Sequence, residues 1–324
     1  MTDARRVAVL STGGTISMAT GADGRRAALG DGSAGVAGID HVTIEQVSVA
    51  NVGSASITWP VLRRVLDEAR RALDGGADGV VVTHGTDTLE ESAFALDLVW
   101  DRPEPLVLTG AMRPGNAPGA DGPANVRDAV ATALSPAARG LGVLAVLDGE
   151  AHTARAVAKV RSQRIAAFES EPTGPVGVIE SGELTLLHRP LDRPAPLEAP
   201  ADVPPVAVVQ LGQGDDAAWL DAVPAGAFAG LVVAGVGSGH VAADAAPRLG
   251  ALVDCGIPVV VATRIPRGGT SRDLYDYPGS EVDLIGRGCV MARRLSAAKA
   301  RLLLQILLAN GAEVPQIEAA FGAF

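Results

Sequence analysis

The residues that could do chemistry fall in a few tight groups. Ser11-Thr12-Gly13-Gly14-Thr15 sets a threonine hydroxyl behind two glycines, where the backbone can turn sharply and expose it. Thr83-His84-Gly85-Thr86-Asp87-Thr88 places hydroxyls beside a carboxylate, more polar groups than one helix cap requires. Lys159 follows Ala154-Arg155-Ala156-Val157-Ala158, a mostly small and apolar background. A lysine so placed is usually a surface charge, but if buried beside a hydroxyl it loses its proton more easily and can accept one. Each group also has a plainer reading: a Gly-Gly turn, a helix cap, a solvated charge. His84 reads as a structural hydrogen-bonding residue rather than a base. Taken together they describe a threonine-rich site with one carboxylate and one lysine, which suits metal-free acyl transfer. A G-x-S-x-G elbow, a cysteine with a nearby histidine, and H-E-x-x-H or paired-histidine metal patterns are absent from the sequence.

Short apolar runs alternate with longer amphipathic stretches, and this alternation must position those groups. Strands are predicted at Val7–Leu10, Val42–Val49, Gly79–Thr83, Leu106–Thr109 and Gly142–Leu147. Helices are predicted from Thr58 to Leu73, from a capping box at Thr88-Leu89-Glu90-Glu91 to Trp100, and around Pro123–Leu134. The pattern implies a mostly parallel sheet covered by helices on both faces. In such a sheet ligands bind outside the carboxyl ends of the strands, which is where the polar clusters fall. Asn51-Val52-Gly53-Ser54 and Thr109-Gly110-Ala111-Met112-Arg113-Pro114 close two further strands, the latter followed by Ala120-Asp121-Gly122-Pro123.

The stretch 191–205 is rich in proline and can neither pair centrally nor run as a helix, so it reads as a linker. It separates a catalytic α/β domain at 1–190 from a second α/β domain at 206–324. In the second, strands are predicted at Val206–Gln210, Leu231–Gly235 and Pro258–Thr263, and helices at Ala242–Val253 and Ala297–Leu308.

Of the 324 residues, 48% are hydrophobic and 20% charged, which excludes intrinsic disorder. Aromatic residues are only 3%, so the core must be aliphatic. The net charge of −10 repels phosphate backbones and argues against a nucleic-acid partner. Cys255 and Cys289 are too few for a disulfide framework and read as two buried small hydrophobes. After MTDARR the chain offers only Val7–Leu10, shorter than a signal-peptide core and far shorter than a membrane span. A soluble protein of a reducing cytoplasm is therefore expected.

These motifs resemble a known family. Ser11-Thr12-Gly13-Gly14-Thr15-Ile16-Ser17 and Val82-Thr83-His84-Gly85-Thr86-Asp87-Thr88-Leu89-Glu90-Glu91 are similar to the two signature motifs of bacterial-type L-asparaginases. The resemblance extends to Asn51-Val52-Gly53-Ser54, Gly110-Ala111-Met112-Arg113-Pro114, Ala120-Asp121-Gly122-Pro123, Gly235-Val236-Gly237-Ser238-Gly239 and Arg264-Ile265-Pro266, in that order along the chain. It implies an asparaginase-like α/β fold with a larger N-terminal and a smaller C-terminal parallel-sheet domain, assembled as a homotetramer of two intimate dimers. It implies hydrolysis of L-asparagine to L-aspartate and ammonia through a covalent acyl-enzyme, with neither metal nor cofactor. By the same resemblance Thr15 matches the nucleophile, and Thr86, Asp87 and Lys159 the second hydroxyl–carboxylate–lysine group. Ser54, with Gly53, and Asp87 match the groups that hold the substrate's α-carboxylate and α-ammonium. The backbone amide of Thr86 and the Ala111 region would face the developing oxyanion.

The sequence departs from the family at the loop that follows the nucleophile. There the family carries a tyrosine, whereas residues 16–40 contain no aromatic side chain, and the only tyrosines are Tyr275 and Tyr277. Tyr275 falls near a glutamate that the family supplies from the neighbouring subunit, so it is the expected substitute for the missing phenol. Ala55, Ser238 and His240 stand where the family carries other contacts to the amine side of the substrate. The alternatives are a glutaminase or other related amidohydrolase, and a non-catalytic amino-acid sensor. The sensor has no need of both threonines.

Overall fold

In the computed structural model, which describes residues 4–20, 26–28, 39, 41–190 and 193–324, the chain divides into two compact units, Met1–Pro196 and Leu197–Phe324. Leu191 and Asp192, which open the proline-rich stretch, and Asp23 and Asp31 in the glycine-rich loop lie outside the described residues.

The first unit runs β1 (Arg5–Ser11), a short pair β2 (Met18–Thr20) and β3 (Arg26–Ala28), β4 (Val42–Ser48), α1 (Trp59–Asp74), β5 (Gly79–Thr83), α2 (Leu89–Asp97), β6 (Leu106–Thr109) and α3 (Gly122–Leu134). It continues with β7 (Val143–Leu147), β8 (Glu150–Thr153), β9 (Ala158–Lys159), β10 (Phe168–Glu169), β11 (Gly177–Glu180) and β12 (Glu183–Leu186). Its main sheet has the order β12-β11-β8-β7-β6-β5-β1-β4. The central strand β5, Gly-Val-Val-Val-Thr, is buried along its whole length, as a parallel strand covered on both faces must be. Helix α1 lays Leu62, Val65, Leu66 and Ala69 inward at helical spacing, each fully buried Val or Leu contributing about 1.5–3 kcal/mol.

The sheet is mixed rather than mostly parallel. Strands β4, β1, β5, β6 and β7 are parallel, while β8, β11 and β12 add on antiparallel. The cause is turn chemistry. Asp148-Gly149 joins β7 to β8 and Ser181-Gly182 joins β11 to β12, and all four residues have positive φ. Two-residue turns of that kind make hairpins and cannot connect parallel neighbours. Helix α2 also stops at Asp97, short of Trp100. Arg193 Nη2 donates to the carbonyls of Asp97 and Trp100, both at 2.8 Å, and satisfies the helix end.

The second unit is β13 (Val206–Gln210), β14 (Gly230–Gly235), α4 (Ala245–Asp254), β15 (Val259–Thr263), α5 (Glu281–Gly286), β16 (Val290–Met291), α6 (Ala297–Ala309) and α7 (Val314–Gly322). Its sheet, β13-β14-β15-β16, is parallel throughout. Leu231, Val233, Leu249, Val259, Val261 and Leu284 form its core, with Cys289 among them. Burial pushes the Cys289 thiol up to about 12. Cys255 is exposed, against the expectation of two buried cysteines. It follows the last turn of α4, where its amide caps the carbonyls of Ala251 and Leu252 and its side chain faces solvent. Among the described residues no helix is long and apolar enough to cross a membrane.

Candidate active site

The carboxyl ends of β1, β4, β5 and β6 open on one side of the sheet, and backbone hydrogen bonds draw their loops together. Thr12 donates from both its amide and its hydroxyl to the Thr83 carbonyl, each at 3.0 Å. Val52 N donates to the Thr12 carbonyl at 3.1 Å. Gly13 and Gly14 have φ of 103° and 93°, a region that side-chain-bearing residues avoid. Space excludes anything larger as well. A Cβ on Gly14 would lie 2.4 Å from Gly85 Cα, and one on Gly85 would lie 2.8 Å from Ser54 Oγ. The backbone that carries Thr15 thus abuts Gly85, and Ser54 closes on Gly85 from another side.

Thr15 opens a 3-10 turn, Thr15–Ser17, and Ser54 opens another, Ser54–Ser56, with its side chain buried. Gly53 immediately precedes Ser54 as its N-cap. Among the described residues no side chain hydrogen-bonds to the Thr15 hydroxyl.

Beside this lies a polar knot of three residues. Lys159 Nζ donates to Thr86 Oγ1 at 3.0 Å and to Asp87 Oδ1 at 2.7 Å. The lysine side chain is only 12% exposed, whereas that of Asp87 is 77% exposed and open to a ligand. Thr86 and Asp87 come from the loop after β5. Lys159 arrives from β9, 73 residues later. Its backbone is held too, because Lys159 N donates to Glu90 Oε2 on α2. That bond corrects the predicted capping box. Thr88 precedes α2 but makes no side-chain cap; its hydroxyl donates instead to the Ser54 carbonyl at 2.8 Å. The polar groups at this helix start tie the site together rather than closing the helix on itself.

Beneath Thr86 runs the loop after β6. A Cβ on Gly110 would meet His84 O at 2.5 Å and Thr86 Cγ2 at 3.1 Å. Asp121 fixes the buried Ala111 and its successors by accepting from Met112 N and Arg113 N, both at 2.8 Å. Asn125 donates to the Gly110 carbonyl at 2.9 Å and to Asp121. His84 is buried, and burial lowers its pKa to about 4. Its Nδ1 pairs with the Gly85 carbonyl at 2.7 Å and its Nε2 with the Ser92 hydroxyl at 2.9 Å. With both nitrogens occupied, His84 shapes the loop and is no base.

Tyr275 lies in the second unit. Its ring meets His240 edge-on at 5.0 Å, and its hydroxyl has no hydrogen-bond partner among the described residues. The neighbouring Tyr277 hydroxyl pairs with His240 Nδ1 at 2.8 Å, and His240 Nε2 with Glu281 Oε2 at 2.9 Å. Glu281 is fully buried. Desolvation pushes its carboxyl upward, but amide donors, its own and those of Tyr275 and Leu274, outweigh that and hold it at about 2. The ionised carboxylate takes the Nε2 proton of His240, leaving Nδ1 to accept from Tyr277. Sequence reasoning missed this chain and the Asp121–Asn125 clamp, and it read Glu90 only as part of a helix cap.

Among the described residues no group of three or more His, Cys, Asp or Glu could hold a metal ion. Two family models match the chain: Asparaginase, N-terminal, over residues 6–192, and Glutaminase/Asparaginase C-terminal domain, over residues 205–321. The chain is 36% identical over 324 residues to a probable L-asparaginase of Deinococcus radiodurans, covering 98% of this chain and 97% of the relative. It is 32% identical over 312 residues to the L-asparaginase of Bacillus licheniformis, covering 94% and 96%. The crystal structure of a probable cytoplasmic L-asparaginase from Campylobacter jejuni matches with a TM-score of 0.83 at 29% identity, covering 98% of this chain and 99% of that one.

Proposed function

Because the chain belongs to the asparaginase family through both of its domains, we propose that it hydrolyses the side-chain amide of L-asparagine to L-aspartate and ammonia by way of an acyl-threonine. The observation that carries this reading is the lysine ammonium shared between Thr86 Oγ1 and Asp87 Oδ1. A binding protein has no use for a buried amine polarising a second hydroxyl, whereas a hydrolase needs two activated oxygens, one for each half-reaction.

In the first half-reaction the Thr15 oxygen attacks the side-chain amide carbon. The hydroxyl proton passes to the departing nitrogen through a phenol, which we assign to Tyr275 of a neighbouring subunit. The C–N bond breaks, ammonia leaves, and an ester to Thr15 remains. In the second, water held by Thr86 attacks that ester. Thr86 Oγ1 takes the water's proton and passes its own hydroxyl proton to the Thr15 oxygen, with the Lys159 ammonium donating to Thr86 throughout, and Thr15 recovers its hydroxyl as aspartate departs. The Thr86 amide and the Ala111 region stabilise the oxyanion in both steps. Ser54, with Gly53, and the exposed carboxylate of Asp87 hold the α-carboxylate and α-ammonium.

The working form is a homo-oligomer, a dimer of intimate dimers, and its compartment the cytoplasm, the location named for the Campylobacter jejuni protein. The test is ammonia release from L-asparagine by the purified protein. Release at enzymatic rates is expected. Binding of aspartate or asparagine with no ammonia above the blank would convert the reading to a sensor.

A further inference from the structure

Of the residues in the polar knot, Lys159 is the one whose position has to be explained. It sits on β9, whose ladder partner among the described residues is β10, in a two-stranded sheet separate from the eight-stranded one. A lone two-stranded pair is marginal by itself. The pairing register sets Phe168 opposite Lys159 and Glu169 opposite Ala158. The next residue, Ser170, is buried, and its hydroxyl lies 2.9 Å from His152 Nδ1. His152, equally buried, stands on β8 opposite Ala145 of β7, inside the main sheet.

We infer that the His152–Ser170 hydrogen bond is a strut that sets the position of Lys159 against Thr86, making His152 and Ser170 positioning residues for the proposed reaction. The inference rests on the reading of the site given above. The strut runs from the main sheet through His152 to Ser170, along β10, and across the ladder to Lys159. Glu90 takes the Lys159 amide from the α2 side, so the lysine backbone is gripped from two directions. The ring has a defined orientation. Nε2 faces Glu150 Oε2 at 3.3 Å, and Nδ1 pairs with the Ser170 hydroxyl at 2.9 Å. Neither residue hydrogen-bonds to Thr15, Thr86 or Asp87, and the proposed chemistry leaves both unused. Their effect on turnover comes through geometry, where a displacement of about 1 Å can cost on the order of 10² in rate.

The experiment compares Ser170→Ala with wild type, alone and in a Lys159→Met background. Ser170→Ala is expected to lower kcat by about tenfold or more with KM changed less than about twofold, since substrate anchoring is untouched. Added to Lys159→Met it should cost nothing further, because the group it positions is gone. Labelling of Lys159 by an amine-reactive reagent, read by peptide mass spectrometry, should rise several-fold in Ser170→Ala. Should Ser170→Ala fail to give a cooperative melt, His152→Asn carries the test. Its short amide can pair with Ser170 where Nδ1 did, so it should keep more activity than His152→Leu. A kcat within about twofold of wild type with unchanged labelling overturns the strut. So does an equal proportional loss in the Lys159→Met background. Full activity of Lys159→Met alone, with raised labelling in Ser170→Ala, would instead sink the assignment of the lysine and leave the strut standing.

Discussion

Lys159 Nζ lies 3.0 Å from Thr86 Oγ1. A lysine ammonium can only donate, so the Thr86 oxygen accepts, and the threonine's own proton is turned toward whatever occupies the site. The Asp87 carboxylate on the same ammonium, at 2.7 Å, fixes the amine in that attitude. Replacing Lys159 by Met keeps the apolar stem and removes the donor. We expect kcat to fall by about 10³ or more. The melting temperature should change little, since an ion pair to so exposed a carboxylate contributes about 1 kcal/mol at most. Steady-state kinetics and a thermal melt on the variant decide this, and a kcat within tenfold of wild type would refute it.

Thr15→Ala should lower kcat by about 10³ or more with the fold intact, the pattern for loss of a covalent nucleophile. The local structure supports that separation. The turn is built by Gly13, Gly14 and the Thr12–Thr83 bonds, not by the Thr15 side chain. Mass spectrometry of quenched reactions gives a second readout, in which an acyl adduct seen on wild type should vanish in Thr15→Ala. A variant retaining more than a tenth of the activity would remove Thr15 from the role.

How far the sequence was legible follows from which forces dominate each element. Long apolar runs such as Gly79–Thr83 and Leu106–Thr109 are buried on both faces, and composition alone betrays them. The strands β8, β11 and β12 were not legible, because four-residue segments such as Glu150-Ala151-His152-Thr153 carry little hydrophobic signal. Their true markers were the turns Asp148-Gly149 and Ser181-Gly182. Thr86, Asp87 and Lys159 were readable as residue types with a purpose. That Glu90 would abandon a capping role for the Lys159 amide is a contact across 69 residues, and no local pattern encodes it. The arrangement of Tyr277, His240 and Glu281 was hidden for the same reason.

Glutamine should be a poorer substrate than asparagine. Ser54 and Asp87 would anchor the α-substituents, and Ser54 packs against Gly85, so a substrate one methylene longer would carry its amide carbon past Thr15. One methylene is worth about 1–3 kcal/mol of discrimination, so kcat/KM for glutamine should be reduced roughly 10- to 200-fold rather than abolished. Equal kcat/KM on the two amides would contradict the anchoring scheme.

Stability should decline on the acid side before any carboxylate limit is reached. Burial lowers both His84 and His152 to about 4 from the ordinary histidine value of 6.5. The unfolded chain therefore takes up protons below pH 6.5 that the folded chain refuses until pH 4. Stability rises with pH wherever the unfolded state binds more protons, so it is lost as pH falls through that window, by about 3 kcal/mol per histidine at most. Glu281 acts lower still: held at about 2, it stabilises above its ordinary range and loses that contribution as pH approaches 2. Urea unfolding of wild type and His152→Asn between pH 7 and 4 checks this. The variant should show about half the slope, and a flat wild-type profile would refute burial as the cause.

The last prediction separates the two tyrosines. A threonine hydroxyl that attacks a carbonyl must hand its proton to something, and residues 16–40 offer no phenol or imidazole. The two phenols of the chain are both about half exposed at 46%, but they differ in what they hold. Tyr277 hydrogen-bonds to His240 in a chain that ends on the buried Glu281, and it packs there as part of the local structure. Tyr275 keeps its hydroxyl clear of partners among the described residues, so in the proposed mechanism it is the phenol, supplied by a neighbouring subunit, assigned to exchange a proton with Thr15. Tyr275→Phe should therefore cut kcat by about 10² or more, the usual scale for losing a general acid–base group, with little change in melting temperature. Tyr277→Phe should leave kcat within about tenfold while lowering stability, because His240 Nδ1 loses its donor. The reverse ranking of the two variants would transfer the proton-transfer role to the Tyr277–His240–Glu281 chain. Near-wild-type turnover in both would show that neither phenol serves the reaction.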